Sequence, residues 1–112
     1  MEPRFKLWIE EGDELVFSNG RAGLLRRIEA LGSITAAARE MGMSYRAAWG
    51  KLRECEERLG FPMLATKTGG RGGGGTALTP EARDFLARFE TWRAQMDAAV
   101  HDSFRQLFPP KP

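Results

Sequence analysis

The sequence predicts a mainly α fold with a small β component: a winged helix-turn-helix with an N-terminal β-hairpin and a long C-terminal dimerisation helix. Three observations predict it. Two helical patterns meet at a glycine-centred break between Ser33 and Ser44. A strand pattern, a glycine-rich tip and a second strand pattern follow. An unbroken amphipathic pattern then runs from Thr79 to Pro109.

Each element has its own signal. Phe5-Lys6-Leu7-Trp8-Ile9 and Glu14-Leu15-Val16-Phe17 are rich in strand formers, and Glu10-Glu11-Gly12-Asp13 between them supplies turn chemistry, which predicts a β-hairpin. Ser18-Asn19-Gly20 punctuates the chain before a helix over about 21–31, with Leu24, Leu25, Ile28 and Leu31 as its apolar stripe. Gly32 stops it. Ser33 caps a second helix reaching about Met41, with Ile34, Ala37, Ala38 and Met41 on one face. Gly42 follows, where a left-handed backbone costs least, and Ser44 caps a third helix over 45–59 that turns Ala48, Leu52, Cys55 and Leu59 inward. The small side chains of Ala36-Ala37-Ala38 let these two helices approach closely, the pattern of a helix-turn-helix. Residues 61–67 and Thr76-Ala77-Leu78, flanking Gly69-Gly70-Arg71-Gly72-Gly73-Gly74-Gly75, form a wing. Thr79-Pro80-Glu81 opens the last helix with a cap, proline at its first position and an acidic first turn. Unbroken to Pro109, it spans roughly 43 Å.

This division gives residues 1–78 as the winged helix-turn-helix, 79–108 as the long helix and 109–112 as a proline-rich tail. Phe85, Phe89, Trp92, Met96, Val100 and Phe104 recur every three or four residues along the last helix. A helix this long outruns a small domain, so its stripe needs a partner, and a second copy of the same helix is the simplest one. A homodimer is expected.

Composition narrows the function classes. A chain of 112 residues, 42% hydrophobic, suits one compact domain. Cys55 is the single cysteine, so no internal disulfide forms. The N-terminus lacks the apolar run of a signal peptide, and no stretch approaches the roughly 18 apolar residues of a membrane span; a cytoplasmic address with no membrane partner is expected. His101 stands alone, Cys55 lies on an inward helix face, and no acid, base and nucleophile set assembles. Neither an enzyme nor a metal or cofactor site is expected. The glycine run also fails the phosphate-loop pattern, because Lys and Ser/Thr do not follow the second glycine.

The expected partner is double-stranded DNA. With Ala48, Leu52 and Cys55 inward, Tyr45, Arg46, Trp49, Gly50 and Arg53 fall on the outer side of the third helix, whose N-terminal residues meet base edges in a helix-turn-helix. Arg46 suits a bidentate contact to guanine. Ser33 and Ser44 offer hydroxyls and helix N-terminal amides to phosphates, with Thr35 beside them. Lys67, Thr68 and Arg71 lie on the wing, where missing side chains let the backbone approach a phosphate. From Ser44 to Gly75, Arg46, Lys51, Arg53, Arg58, Lys67 and Arg71 outnumber Glu54, Glu56 and Glu57, which suits a polyanion.

Gly32-Ser33-Ile34-Thr35-Ala36-Ala37-Ala38 resembles the helix-turn-helix opening shared by LysR-type regulators and the DNA-binding domain of the ModE family of molybdate-responsive regulators. Ser44-Tyr45-Arg46-Ala47-Ala48-Trp49 looks like the ModE recognition-helix entry, and Thr68-Gly69-Gly70-Arg71-Gly72-Gly73-Gly74-Gly75 with Leu78-Thr79 looks like its wing. The resemblance covers about residues 5–107. It implies a dimer formed through the long helix and bound to an inverted-repeat operator in genes of molybdate or tungstate handling. By motif, its DNA contacts fall on Ser44, Tyr45, Arg46, Lys67 and Arg71. The C-terminal oxyanion-binding domains of full-length ModE have no counterpart in these residues, so a small-molecule effector is not expected to bind here. Two rival readings remain: a winged helix that contacts protein rather than DNA, and an oxyanion sensor using the wing or the dimer interface.

Overall fold

A computed structural model describes residues 1–67 and 75–111. In chain order it contains β1 (Trp8–Glu11), β2 (Glu14–Ser18), α1 (Asn19–Leu31), α2 (Ile34–Glu40), α3 (Tyr45–Leu59), β3 (Leu64–Lys67), β4 (Gly75–Leu78) and α4 (Pro80–Leu107). The strands form two separate antiparallel pairs, β1 with β2 and β3 with β4.

Local chemistry sets the boundaries. Gly12 and Asp13 both take positive φ, 50° and 59°, between the paired Glu11 and Glu14, which is the type I′ turn that matches strand twist. Ser18 is a helix cap rather than part of a loop: its hydroxyl accepts from the Arg21 amide, so α1 starts at Asn19, earlier than the sequence suggests. Strand β1 starts at Trp8, later than the expected Phe5. Strand β3 begins at Leu64 rather than Phe61, because Pro62 has no amide to pair and Met63 sends its amide to Glu56 Oε1 (3.1 Å) while its carbonyl accepts from Thr79 (3.0 Å). Thr79 caps α4 by accepting from the Ala82 amide and donates its own hydroxyl to the Pro62 carbonyl.

One core joins all the elements. Phe17 of β2 is fully buried at its centre, with Leu24, Leu25 and Ile28 of α1, Ala37 and Ala38 of α2, Ala48, Leu52 and Cys55 of α3, and Met63, Leu78 and Ala82 around it. Phe85 and Phe89 of α4 both meet the Phe17 ring edge-on at 4.9 Å. This corrects the expectation for the dimer stripe. Phe89 is 3% exposed, so the hairpin of its own chain has already covered it, while Phe85 packs against the same core and stays half-buried. Leu31 corrects the α1 stripe: on the last helical residue, beyond the packed turns, it is exposed.

Beyond Phe89, α4 leaves the core, and residues 91–99 are all exposed. The projection gives a radius of gyration of 17.2 Å and a longest dimension of 61 Å. A compact chain of this length would have a radius of about 13 Å. Trp92 and Met96 are exposed, whereas Val100 and Phe104 are half-buried. Met1 borders the same shallow groove as Phe104 and Phe108, so the segment before β1 reaches out toward the far end of α4. Along that segment Pro3, Phe5, Leu7 and Ile9 are half-buried and alternate with exposed neighbours.

Candidate nucleic-acid interface

The turn between α2 and α3 is built by backbone bonds. Met43 donates to the Ala38 carbonyl (3.0 Å) and Gly42 to the Arg39 carbonyl (3.1 Å), with Gly42 at φ 69°. This is a Schellman closure, and a Cβ at Gly42 would be strained in that left-handed conformation. Ser44 then caps α3 at once, accepting from the Ala47 amide at 3.0 Å. Ser33 caps α2 likewise, accepting from Ala36 at 3.1 Å. In both caps the hydroxyl oxygen is used as acceptor, which leaves the hydroxyl proton to donate outward.

The burial of Ala48, Leu52 and Cys55 fixes which way α3 faces. Ser44, Tyr45, Arg46, Ala47, Trp49, Gly50, Lys51 and Arg53 are all exposed. Arg46, Gly50 and Arg53, at spacings of four and three, share a ridge opposite the buried face. Thr35 is exposed at the start of α2, and Ser33 is half-buried. The structure thus brings Ser33, Thr35, Ser44, Tyr45, Arg46, Trp49 and Arg53 onto the helix-turn-helix surface. Thr68 and Arg71 lie outside the described residues, and for Lys67 the backbone alone is described, paired in β3 with Gly75.

Charge is distributed unevenly. Carboxylates take up many arginines: Arg26 with Glu90, Arg27 with Glu40, Arg83 with Glu29, Arg88 with Asp84 and Arg105 with Asp102. Arg58, counted in the sequence among the basic residues of this region, bonds the Leu15 carbonyl and pairs with Glu14 and Glu54. It serves the fold, not a ligand. By contrast Arg39, Arg46, Lys51 and Arg53 make no ion pair among the described residues. Lys51 acts through its charge on Glu54, while Arg39, Arg46 and Arg53 remain as cations on α2 and α3 that favour a polyanion.

Arg21 escaped the sequence reading. It is 6% exposed, its guanidinium bonds Glu54, and its Nη1 lies 3.8 Å from the Cys55 sulfur. The Arg21 hydrogen bond and charge hold the Glu54 carboxyl below its ordinary range, while burial pushes the Cys55 thiol up. Together they clamp α1 to α3 and set the angle at which α3 is presented. The signal was there: stepping the α1 stripe back from Leu24 and Leu25 lands on position 21.

Hydrogen bonds and close backbone packing hold the wing root to the rest of the domain. Thr76 donates to the Gly32 carbonyl at 3.0 Å, and a Cβ at Gly75 would stand 3.1 Å from that same oxygen. Glu29 accepts from the Leu78 amide (3.0 Å) and from Arg83 Nε (2.8 Å), so one side chain ties α1, β4 and α4. Among the described residues no cluster of His, Cys, Asp and Glu is arranged to hold a metal ion, and no helix is long and apolar enough to cross a membrane.

Residues 22–83 match the bacterial regulatory helix-turn-helix protein, lysR family. The chain is similar to the molybdenum-pterin-binding protein MopB of Rhodobacter capsulatus, 42% identical over 69 residues that make up 62% of this chain and 26% of MopB. It is 37% identical to the transcriptional regulator ModE of Haemophilus influenzae, over 72% of this chain and 32% of that protein. It is 33% identical to the DNA-binding transcriptional dual regulator ModE of Escherichia coli K12, over 70% of this chain and 30% of that protein. The chain thus spans about a third or less of the length of these relatives. A crystal structure of a LysR family transcriptional regulator superposes with a TM-score of 0.60 at 18% identity, covering 81% of this chain and 30% of that one, which shows the shared fold. By its matched residues and its architecture, the chain belongs to the lysR family of bacterial regulatory helix-turn-helix proteins.

Proposed function

We propose that this chain is a sequence-specific, double-stranded DNA-binding transcriptional regulator of the ModE type, active as a homodimer in the cytoplasm, with no catalytic role. The observation that carries the reading is the exposed ridge of α3, capped at Ser44 and bearing Arg46 and Arg53, neither of which makes an ion pair among the described residues. In a helix-turn-helix this helix enters the major groove, where Arg46 fits guanine O6 and N7 and contributes about 1–3 kcal/mol of discrimination. Ser33 and Ser44 serve as phosphate contacts with Thr35 beside them, Tyr45 meets a base or a phosphate, and Lys67, Thr68 and Arg71 contact the DNA backbone from the wing. Similarity to ModE and MopB supports a link to genes of molybdate or tungstate handling.

Two-fold pairing through Trp92, Met96, Val100 and Phe104 of α4 would present two α3 helices to an inverted repeat about one duplex turn apart, or a multiple of it. Fluorescence anisotropy of labelled duplexes across a salt series tests the DNA reading. Binding should prefer one sequence and weaken steeply as salt rises. Affinity indifferent to both sequence and salt would refute it.

A further inference from the structure

On the α3 ridge, the guanidinium carbon of Arg53 lies 4.9 Å from the centroid of the Trp49 ring. The two side chains are four residues apart, the spacing that stacks one above the other on a helix. Both reach solvent, and Trp49 is 43% exposed. The fold does not require this pairing. A tryptophan left so open adds little to the core, and Arg53 has carboxylates within reach of its own helix, Glu56 and Glu57, yet makes no ion pair with either among the described residues. Direction explains the choice. Long helical side chains lean toward the N-terminus, which carries Arg53 back over Trp49 and away from Glu57. An acidic residue placed after its cation is also the weaker order for a helical pair. A guanidinium stacked on an aromatic face stays charged and keeps its N–H edges open to an anion.

We propose that Trp49 is a positioning residue that holds Arg53 ready for a duplex phosphate, so that the two act as one backbone clamp. Arg46, which stacks on no ring among the described residues and lies nearer the N-terminus of α3, is left to read base edges. The proposal rests on the DNA reading above and adds a division of labour along the ridge: specificity from the first turn, affinity from the third.

The test uses the full chain, a duplex selected from a random pool, a scrambled duplex and a potassium chloride series. Arg53→Ala should weaken binding to both duplexes by similar factors and lower the slope of log affinity against log salt by about 0.9 for each phosphate that Arg53 neutralises in the parent. Trp49→Leu keeps the charge, so it should weaken both duplexes roughly 2–5-fold while leaving the sequence preference intact. The double variant should bind no more weakly than Arg53→Ala alone, and Trp49→Phe should recover most of the affinity. In the free protein, NMR should show the Arg53 δ protons shifted upfield by the ring and returned to ordinary positions in Trp49→Leu. Losses that multiply in the double variant, or a changed sequence preference in Trp49→Leu, would mean the indole touches DNA itself and would overturn the proposal alone. A parent chain that binds neither duplex would overturn the DNA reading and the clamp together, whatever the NMR shift reports.

Discussion

At the scale of single residues, the pair Arg21 and Glu54 controls how firmly α3 is held. Arg21 crosses from α1 to bond Glu54 and to reach the Cys55 sulfur, in a position where an unpaired guanidinium could not be buried. Arg21→Ala should therefore destabilise the fold by about 2 kcal/mol, the scale of a charge-assisted hydrogen bond, as read by urea unfolding. The pH dependence has a definite sign. The folded protein holds the Glu54 carboxyl below its ordinary value of 4.5, so its contribution to stability is present above that value and is lost as pH falls through the lowered one. Urea midpoints should fall as the solution is acidified below 4.5, and Glu54→Gln should flatten that acid limb. An unchanged acid limb in the variant would show that other carboxylates dominate it. Arg21 also marks where residue type misleads. The α1 periodicity places position 21 inward, but an arginine is read as surface because burying one requires a partner, and Glu54 lies 33 residues away in sequence.

At the scale of elements, local chemistry was legible and partnership was not. The caps at Ser33, Ser44 and Thr79, the turn at Gly42 and the buried face of α3 all follow from short-range rules, and the helix-turn-helix part of the candidate surface follows from them. The α4 stripe gave its face correctly but not what covers it. A period of 3.6 cannot tell packing on one's own hairpin from packing on another copy, and Phe17 claims Phe85 and Phe89. This difference is testable. Phe89→Ala should cost about 3–5 kcal/mol of protomer stability, whereas Met96→Asp should leave circular dichroism unchanged and shift sedimentation toward the monomer. Equal unfolding by both would contradict the assignment. The α3 ridge carries its own signature at Gly50, where an added Cβ would meet nothing within 4 Å. A glycine inside a helix costs about 1 kcal/mol against alanine, and no packing neighbour here explains the choice. Gly50→Ala should raise the melting temperature by about 4 °C or more while weakening operator binding, because in the proposed docking the added methyl group would stand between α3 and the duplex. A gain in stability with full affinity would show that the ridge does not lie against DNA.

For the whole molecule, the arrangement of the two ends of the chain matters most. The core binds β2, α1, α2, α3 and the first third of α4 into one body, and Glu29 and Gly32 tie the wing root to it. The body therefore presents α3 and the wing root at a fixed relative angle. The remainder of α4 projects, with the N-terminal segment reaching toward its far end. Trp92 and Met96 are thus the freest part of the apolar stripe, and the proposed homodimer, if formed there, would set the distance between two α3 ridges by the length and crossing angle of α4. Neither the reach of the N-terminal segment nor that crossing could be read from the sequence, since both depend on packing between residues about a hundred positions apart or on separate chains. Hydroxyl-radical footprinting of the full chain on a selected duplex probes this geometry without intermediaries. A two-fold pair should protect two segments on one face of the duplex, related by symmetry and centred about one helical turn, or a multiple of it, apart. A single protected segment, or protection with no fixed spacing, would rule out the paired arrangement.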